Sequence, residues 1–379
     1  MTMRIAMNVT RDYVAGITSS NINILNTLLG NDHEMVGIEV TGKIHLKSPI
    51  IFRSFAPETF DHHTLNLHHL PINQVVKKSR TLRDVEVAYK PAIALIRGIL
   101  RETKPDCMLL NGTYFIPWLI ALAARAEGIP VVLWYAGVLT RETEHYPARS
   151  RRIFKSMEQS MVRQAKKIIF PSDLCRKEVE ERVAGKRLRN SYVVPNPITP
   201  IFTEQSAAEP SLERRIAAVG RYSPVKNFDA YFSLHRRLLK EKWLHTASFV
   251  TSTEKIPRMP RTVRIAPPMT QEGLKRFYLT QGLIICPSTF ETFGNVPMEA
   301  ACLGIPVLVN KTMGCADILR QAGLSNMIAD FTNEDEVVRK VKELCGQYIL
   351  PRQLNALRKL LDYRFIGSEI EGVLKSSIK

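Results

Sequence analysis

The segment Glu291-Thr-Phe-Gly-Asn-Val-Pro-Met-Glu299 sets two carboxylates in an E-x7-E frame around a Phe-Gly turn. The run Gly282-Leu-Ile-Ile-Cys-Pro-Ser288 leads into it like a buried strand. Behind it, Pro297 to Gly304 reads as a short helix stopped by glycine, and Ile305 to Val309 as the next strand. Glu291 then falls in the loop after a strand, where ligands gather in parallel sheets. Glu299 falls in the first turns of a helix whose N-terminal amides face the same crevice. Such amides hold a phosphate, and a carboxylate accepts from a pair of sugar hydroxyls. The pattern is that of a site for a phosphorylated sugar compound.

A second block lies about 65 residues upstream. Ile216-Ala-Ala-Val-Gly220-Arg221 reads as a strand ending in a glycine turn. Tyr222-Ser-Pro-Val-Lys226-Asn227 follows, and then a helical run from Asp229 to Leu239. The turn sets Arg221 and Lys226 at a strand's C-terminal mouth. Arg engages two oxygens of a diphosphate and Lys supplies a point charge. Any one of these four side chains alone would be at home on a solvated surface; together, in one ordered frame, they suit a diphosphate-bearing sugar compound.

These blocks resemble the family 4 nucleotide-sugar glycosyltransferases (glycosyltransferase group 1) of the GT-B fold. The resemblance runs along nearly the whole chain. Met3-Arg-Ile-Ala-Met-Asn8 is similar to their first strand, and Ala15-Gly16-Ile-Thr-Ser-Ser to their glycine loop. Tyr192-Val-Val-Pro-Asn196-Pro-Ile is similar to their interdomain segment, and Phe365 to Ile378 to their final helix, which crosses back onto the first domain. The implied fold is α/β, with two Rossmann-like doubly wound domains facing across a cleft. The first, acceptor-side domain would cover residues 1–195, completed by the C-terminal helix 362–379. The second, nucleotide-sugar-binding domain would cover residues 196–361.

Carried onto this chain, the resemblance implies catalytic roles for Glu291, Arg221 and Lys226. The two cations would neutralise the diphosphate, and Glu291 would bind the transferred sugar. Glu299 would take the ribose hydroxyls. The amides of Phe293, Gly294, Asn295 and Val296 would cradle phosphate, and the base would lie against the Ala266–Met269 turn. Gly16 would let the backbone approach the phosphates. The implied reaction is a retaining, metal-independent transfer from a nucleotide-diphosphate sugar, without a cofactor, to a glycolipid or cell-surface glycan. Two departures stand out. Family histidines follow the strands at Cys107–Leu110 and Val131–Trp134, where this chain has Asn111 and Ala136. Asn111, Tyr114, Tyr135 and Arg141 are the candidates to compensate, with Asn111 carried as a substrate-binding position. The hinge reads Pro-Asn-Pro where Pro-Asn-Gly is usual, which stiffens it. A nucleotide-sugar epimerase or hydrolase, or a degenerate binding protein, are alternatives on the same fold.

At 379 residues, with 45% hydrophobic and 23% charged residues, the chain suits two globular domains. The longest apolar run, Phe115 to Ala124, is about half a membrane span, and the first strand begins too early for a signal peptide. Six cysteines without C-x-x-C spacing indicate reduced thiols and a cytoplasmic setting. No His/Cys cluster has metal-ligand spacing, the His62, His63, His68, His69 quartet included. The chain has no G-x-G, against a dinucleotide-dependent oxidoreductase. Glu334-Asp335-Glu336 after Asn333 is a helix cap and first turn.

The net charge is +17, densest between Arg149 and Lys167, where Glu158 is the single acid. Apolar residues recur there at helical spacing. The pattern fits a solvated helix face, or a surface for anionic lipid on the inner face of a membrane. Nucleic acid is not expected, since no binding motif accompanies the charge.

Strands are predicted over Arg4–Val9, Met35–Val40, Cys107–Leu110, Val131–Trp134 and Lys167–Phe170. In the second half they are predicted over Ile216–Val219, Thr246–Val250, Val263–Ala266, Leu283–Cys286 and Val307–Asn310. Helices alternate with them, the signature of doubly wound sheets. Leu46 to Arg83, without clean periodicity, reads as a variable connection, and Val193 to Pro200 as a stiff hinge.

Overall fold

The computed structural model describes residues 2–9, 16–29, 33–41, 61–66, 72–204 and 213–378. The chain forms two compact units, Met1–Pro195 with Arg364–Lys379, and Asn196–Tyr363. The first contains strands β1 (Arg4–Val9), β2 (Glu34–Thr41), β3 (Asp61–Asn66), β4 (Cys107–Asn111), β5 (Val131–Trp134), β6 (Lys167–Phe170) and β7 (Ser191–Val193). They form one parallel sheet in the order β3-β2-β1-β4-β5-β6-β7. The strands β4 and β5 are buried throughout, as parallel strands covered on both faces must be. The last helix, Tyr363–Ile378, places Ile366, Ile370, Val373 and Leu374 in the core with Met3, Ile5 and Met7. That i, i+4, i+7, i+8 spacing is one helical face.

The second unit contains β8 (Arg215–Val219), β9 (Thr246–Val250), β10 (Val263–Ala266), β11 (Leu283–Cys286), β12 (Val307–Asn310) and β13 (Ile328–Ala329). Its sheet is also parallel, in the order β10-β9-β8-β11-β12-β13. In each unit the strand order reverses beside the first strand, between β1 and β4 and between β8 and β11. At such a switch point the loops after two neighbouring strands diverge and leave a crevice.

The segment expected as a variable connection contains regular structure. It holds β3, paired in register with β2, and the helices Ile72–Lys78 and Leu82–Ala88. The edge strand β3 has one neighbour, so polar Asp61, His62, His63 and Thr64 mask the apolar alternation that marks inner strands. The Leu82 helix did carry a signal in Thr81 and Asp84, a reciprocal capping box. His68 and His69 lie outside the described residues. The short strands β7 and β13, the latter two residues long, were also not predicted. The Asn333 cap has the expected form, its side chain accepting from Glu336 N at 3.2 Å.

Candidate functional site

The loop after β8 begins at Gly220, whose φ is +147°. A Cβ there would stand 3.2 Å from the Phe228 ring, so the turn excludes any side chain. Arg221 is exposed beyond it, and Pro224–Lys226 form a single 3-10 turn. Asn227 starts the helix Phe228–Lys240 with φ +51° and donates its amide to Pro287 O at 3.3 Å. Thr289 N donates to Val225 O at 2.8 Å. These hydrogen bonds, with a third from Thr289 Oγ1 to Val225 O at 3.2 Å, stitch the loop after β8 to the loop after β11. They bring Lys226 Nζ onto the Glu291 carboxylate, touching both oxygens, with 2.9 Å to Oε2.

Glu291 is itself fixed by the loop after β12. It bridges to Met313, and its carbonyl accepts from Gly314 N at 3.0 Å. Phe293, buried, accepts from Cys315 N at 2.8 Å. Gly294 then turns the chain with φ +115°, and a Cβ there would come within 3.0 Å of both Cys315 Sγ and Met313 Cε. A left-handed residue packed this closely must be glycine. The helix Asn295–Cys302 starts immediately after it. Its first-turn amides therefore point out of the sheet's C-terminal end, beside the Lys226–Glu291 pair, where an anion is favoured. Asn295 Oδ1 accepts from Asn196 Nδ2 at 2.9 Å, tying the Pro-Asn-Pro segment to this turn.

Glu299 lies one turn into that helix and is 5% exposed. Burial pushes its carboxyl up to about 7, and Tyr278 Oη, 3.2 Å from Oε2, opposes the shift. Tyr278 went unnoticed in the sequence, because a buried aromatic at the end of a helix looks like core. Met269 is half-buried in the turn between β10 and the helix Gln271–Tyr278. Arg221, Lys226, Met269, Phe293, Gly294, Asn295, Val296, Glu291 and Glu299 thus all sit on loops or helix starts at the C-terminal end of one sheet.

In the first unit, Gly16 opens the helix Gly16–Leu29. Asn111 is fully buried at the β1–β4 switch point. Its backbone N donates to Asn8 Oδ1 at 2.7 Å, its carbonyl accepts from Asn8 Nδ2 at 3.0 Å, and its side-chain amide donates to Asn21 Oδ1. Tyr135 is also fully buried and donates to Glu158 Oε1 at 2.9 Å. Arg141 pairs with Glu144 and Glu178. Of the four candidates to compensate for the missing histidine, Tyr114 alone is exposed, at 39%.

Glu158 was read as the one acid on a basic helix face, but it points inward. Its carboxylate accepts from Leu139 N at 2.9 Å and Thr140 N at 2.7 Å, and burial raises it. It pins the loop after β5, which contains Ala136. The basic face of the helix Ala148–Gln164 is left without an acid of its own.

The profile of the family described as Glycosyl transferases group 1 matches residues 259–357, and that of Glycosyltransferase Family 4 matches residues 50–200. The chain belongs to the group 1 glycosyltransferases of family 4. It is 23% identical over 290 residues to a D-inositol 3-phosphate glycosyltransferase of Nocardiopsis dassonvillei. The match covers 66% of each chain, so this chain spans a little under two thirds of that relative's length. A glycosyltransferase structure from Rickettsia africae superposes with a TM-score of 0.71 at 13% identity, covering 100% of this chain and 99% of that one. A sucrose-phosphate synthase from Thermosynechococcus elongatus gives 0.68 at 13% identity, covering 99% and 98%. The fold of this family 4 chain is α/β and GT-B, and the family is one of transferases.

Proposed function

We propose that this chain is a retaining glycosyltransferase that takes a sugar from a nucleotide-diphosphate sugar held by the second unit. The observation that carries the reading is the Lys226–Glu291 pair, beside the start of the helix bearing Glu299. A diphosphate placed at that helix start meets Arg221, Lys226 and the amides of the Phe293–Val296 turn. Glu291 accepts hydroxyls of the sugar, and Glu299 accepts those of the ribose. The Ala266–Met269 turn backs the base.

In the reaction the anomeric carbon–oxygen bond to the diphosphate breaks, an acceptor hydroxyl oxygen bonds to the same face, and its proton passes to the departing diphosphate. The departing negative charge falls on fixed cations and amides that need no reorganisation. No divalent metal or cofactor is required in this scheme. The acceptor is a glycolipid or cell-surface glycan, reached from the inner face of the membrane. The Nocardiopsis dassonvillei relative carries the name D-inositol 3-phosphate glycosyltransferase, which makes a phosphorylated polyol a second acceptor to try. No helix among the described residues is long and apolar enough to cross a membrane. The exposed Arg149, Arg151, Arg152 and Lys155 supply a convex basic face for peripheral attachment.

A thermal-shift panel of nucleoside diphosphates and their sugars tests the donor assignment. A ligand at about 100 times its Kd adds roughly 2.7 kcal/mol of stability. One base and one sugar should stand out, and a flat response across the panel would count against the reading.

A further inference from the structure

Two open grooves, of about 870 and 890 Å3, meet at Arg163 and Ala165 in the first unit. They lie at the N-terminal ends of β5, β6 and β7, the opposite end of that sheet from the loop carrying Ala136. Arg125, Arg163 and Lys166 border the first, and Arg163 borders the second with Lys186, Arg187 and Arg189. All six are exposed, and among the described residues none forms an ion pair. The surface around them behaves differently. Arg97 and Arg101 share Glu127, Arg182 holds Glu144 and Glu178, and Arg176, also at the second groove, holds Asp173. Among the described residues no carboxylate side chain lines either groove. Six unpaired cations along two confluent grooves make a positive field, and a ligand with several spaced anions matches it.

The shape of the site narrows the ligand. A bilayer is flat and suits the convex face of the helix Ala148–Gln164 rather than a groove. Single-stranded nucleic acid binds on aromatic platforms, and among the described residues no aromatic side chain lines either groove. Gln164 Oε1, in the wall of the first groove, is buried without a hydrogen-bond partner among the described residues. A hydroxyl donor would satisfy it. We propose that the confluent grooves bind an acidic polysaccharide, whose carboxylates meet the cations and whose hydroxyls meet Gln164. The choice of a glycan rests on the transfer reading above. It adds a second site that holds a product-like chain remote from that sheet's C-terminal loops.

The test is calorimetric titration of the full chain with polygalacturonate oligomers. Neutral maltooligosaccharide of equal length, a single-stranded oligonucleotide and anionic vesicles serve as competitors. Polygalacturonate should bind, more weakly as salt rises, and neutral oligosaccharide should not. Arg163→Glu with Arg187→Glu should weaken it at least tenfold, Arg163→Lys with Arg187→Lys should retain it, and Arg151→Glu with Lys155→Glu should leave it unchanged. If charge reversal unfolds the first unit, Arg163→Gln with Arg187→Gln should still lower affinity severalfold. Unchanged affinity in the groove variants, equal binding of neutral oligosaccharide, or tighter binding of the oligonucleotide or vesicles at the grooves would each overturn the proposal. Nucleoside diphosphate titration of the same samples reads the donor site separately, so either reading can fail alone.

Discussion

Lys226 Nζ rests on the Glu291 carboxylate, 2.9 Å from Oε2, although 65 residues separate the two in sequence. The pair joins the loops after β8 and β11 at the switch point of the second sheet. Both side chains are partly exposed, at 34% and 20%, so the ion pair itself contributes roughly 1 kcal/mol or less to stability. Its importance lies in position: one member can turn to a phosphate while the other turns to a sugar hydroxyl.

That division of labour predicts a split phenotype for Glu291→Gln. Lys226 is released, so affinity for a nucleoside diphosphate without a sugar should hold or rise. Transfer from the corresponding nucleotide sugar should fall by at least about tenfold, the loss of a charge-assisted contact. Single-turnover kinetics beside calorimetry separates the two, and a parallel loss in both would remove Glu291 from the sugar.

Glu299 gives a pH signature. Its carboxyl is held at about 7 against an ordinary 4.5, chiefly by burial. An acid raised in the folded state keeps its proton there, so its burial carries no charge penalty below about pH 4.5. The penalty grows as pH climbs towards 7 and then levels off, reaching about 3 kcal/mol. Glu299→Gln removes this dependence. The difference in Tm between variant and wild type should therefore move in the variant's favour by several degrees from pH 5 to pH 8, and a difference independent of pH would contradict the assignment. Ribose hydroxyls favour the carboxylate, so nucleotide binding near pH 7 should release a proton, visible as a buffer-dependent heat. The 2′-deoxynucleotide should release less.

Fixed cations replace a divalent ion in the proposed reaction. Transfer should persist in excess EDTA within about twofold. Activity abolished by the chelator and restored by magnesium or manganese would mean the diphosphate is neutralised in another way.

The convex basic face should attract anionic lipid, each cation contributing on the order of 1 kcal/mol near the surface. Arg151→Glu, Arg152→Glu and Lys155→Glu together should release the protein from anionic vesicles in co-sedimentation, and high salt should do the same. Equal recovery on neutral and anionic vesicles would sink the membrane assignment.

The sequence carried the inner strands well, because β1, β5, β6, β9, β11 and β12 are short, largely apolar runs bounded by turns. It carried β3 poorly, since an edge strand of Asp61, His62 and His63 lacks the apolar alternation of a buried one. The positions of Arg221, Lys226, Glu291 and Glu299 at the C-terminal end of the second sheet were legible because a strand, a glycine turn and a helix start place a residue wherever they occur. Gly220 and Gly294 mark those turns by conformations other residues do not adopt. Partners across the sheet were not legible. Nothing local to Tyr278 points to Glu299, and nothing local to Glu158 shows that it faces Tyr135 and Leu139 rather than solvent. Those contacts depend on strand order, which periodicity does not encode.

The most direct test of the account is calorimetric titration of wild type, Arg221→Ala and Lys226→Ala with the nucleoside diphosphate chosen by the stability panel. Charge-assisted contacts contribute roughly 1.5–3 kcal/mol each, so each variant should bind at least about tenfold more weakly. Wild-type affinity in both variants would contradict the placement of a diphosphate at the end of β8, and with it the proposed reaction.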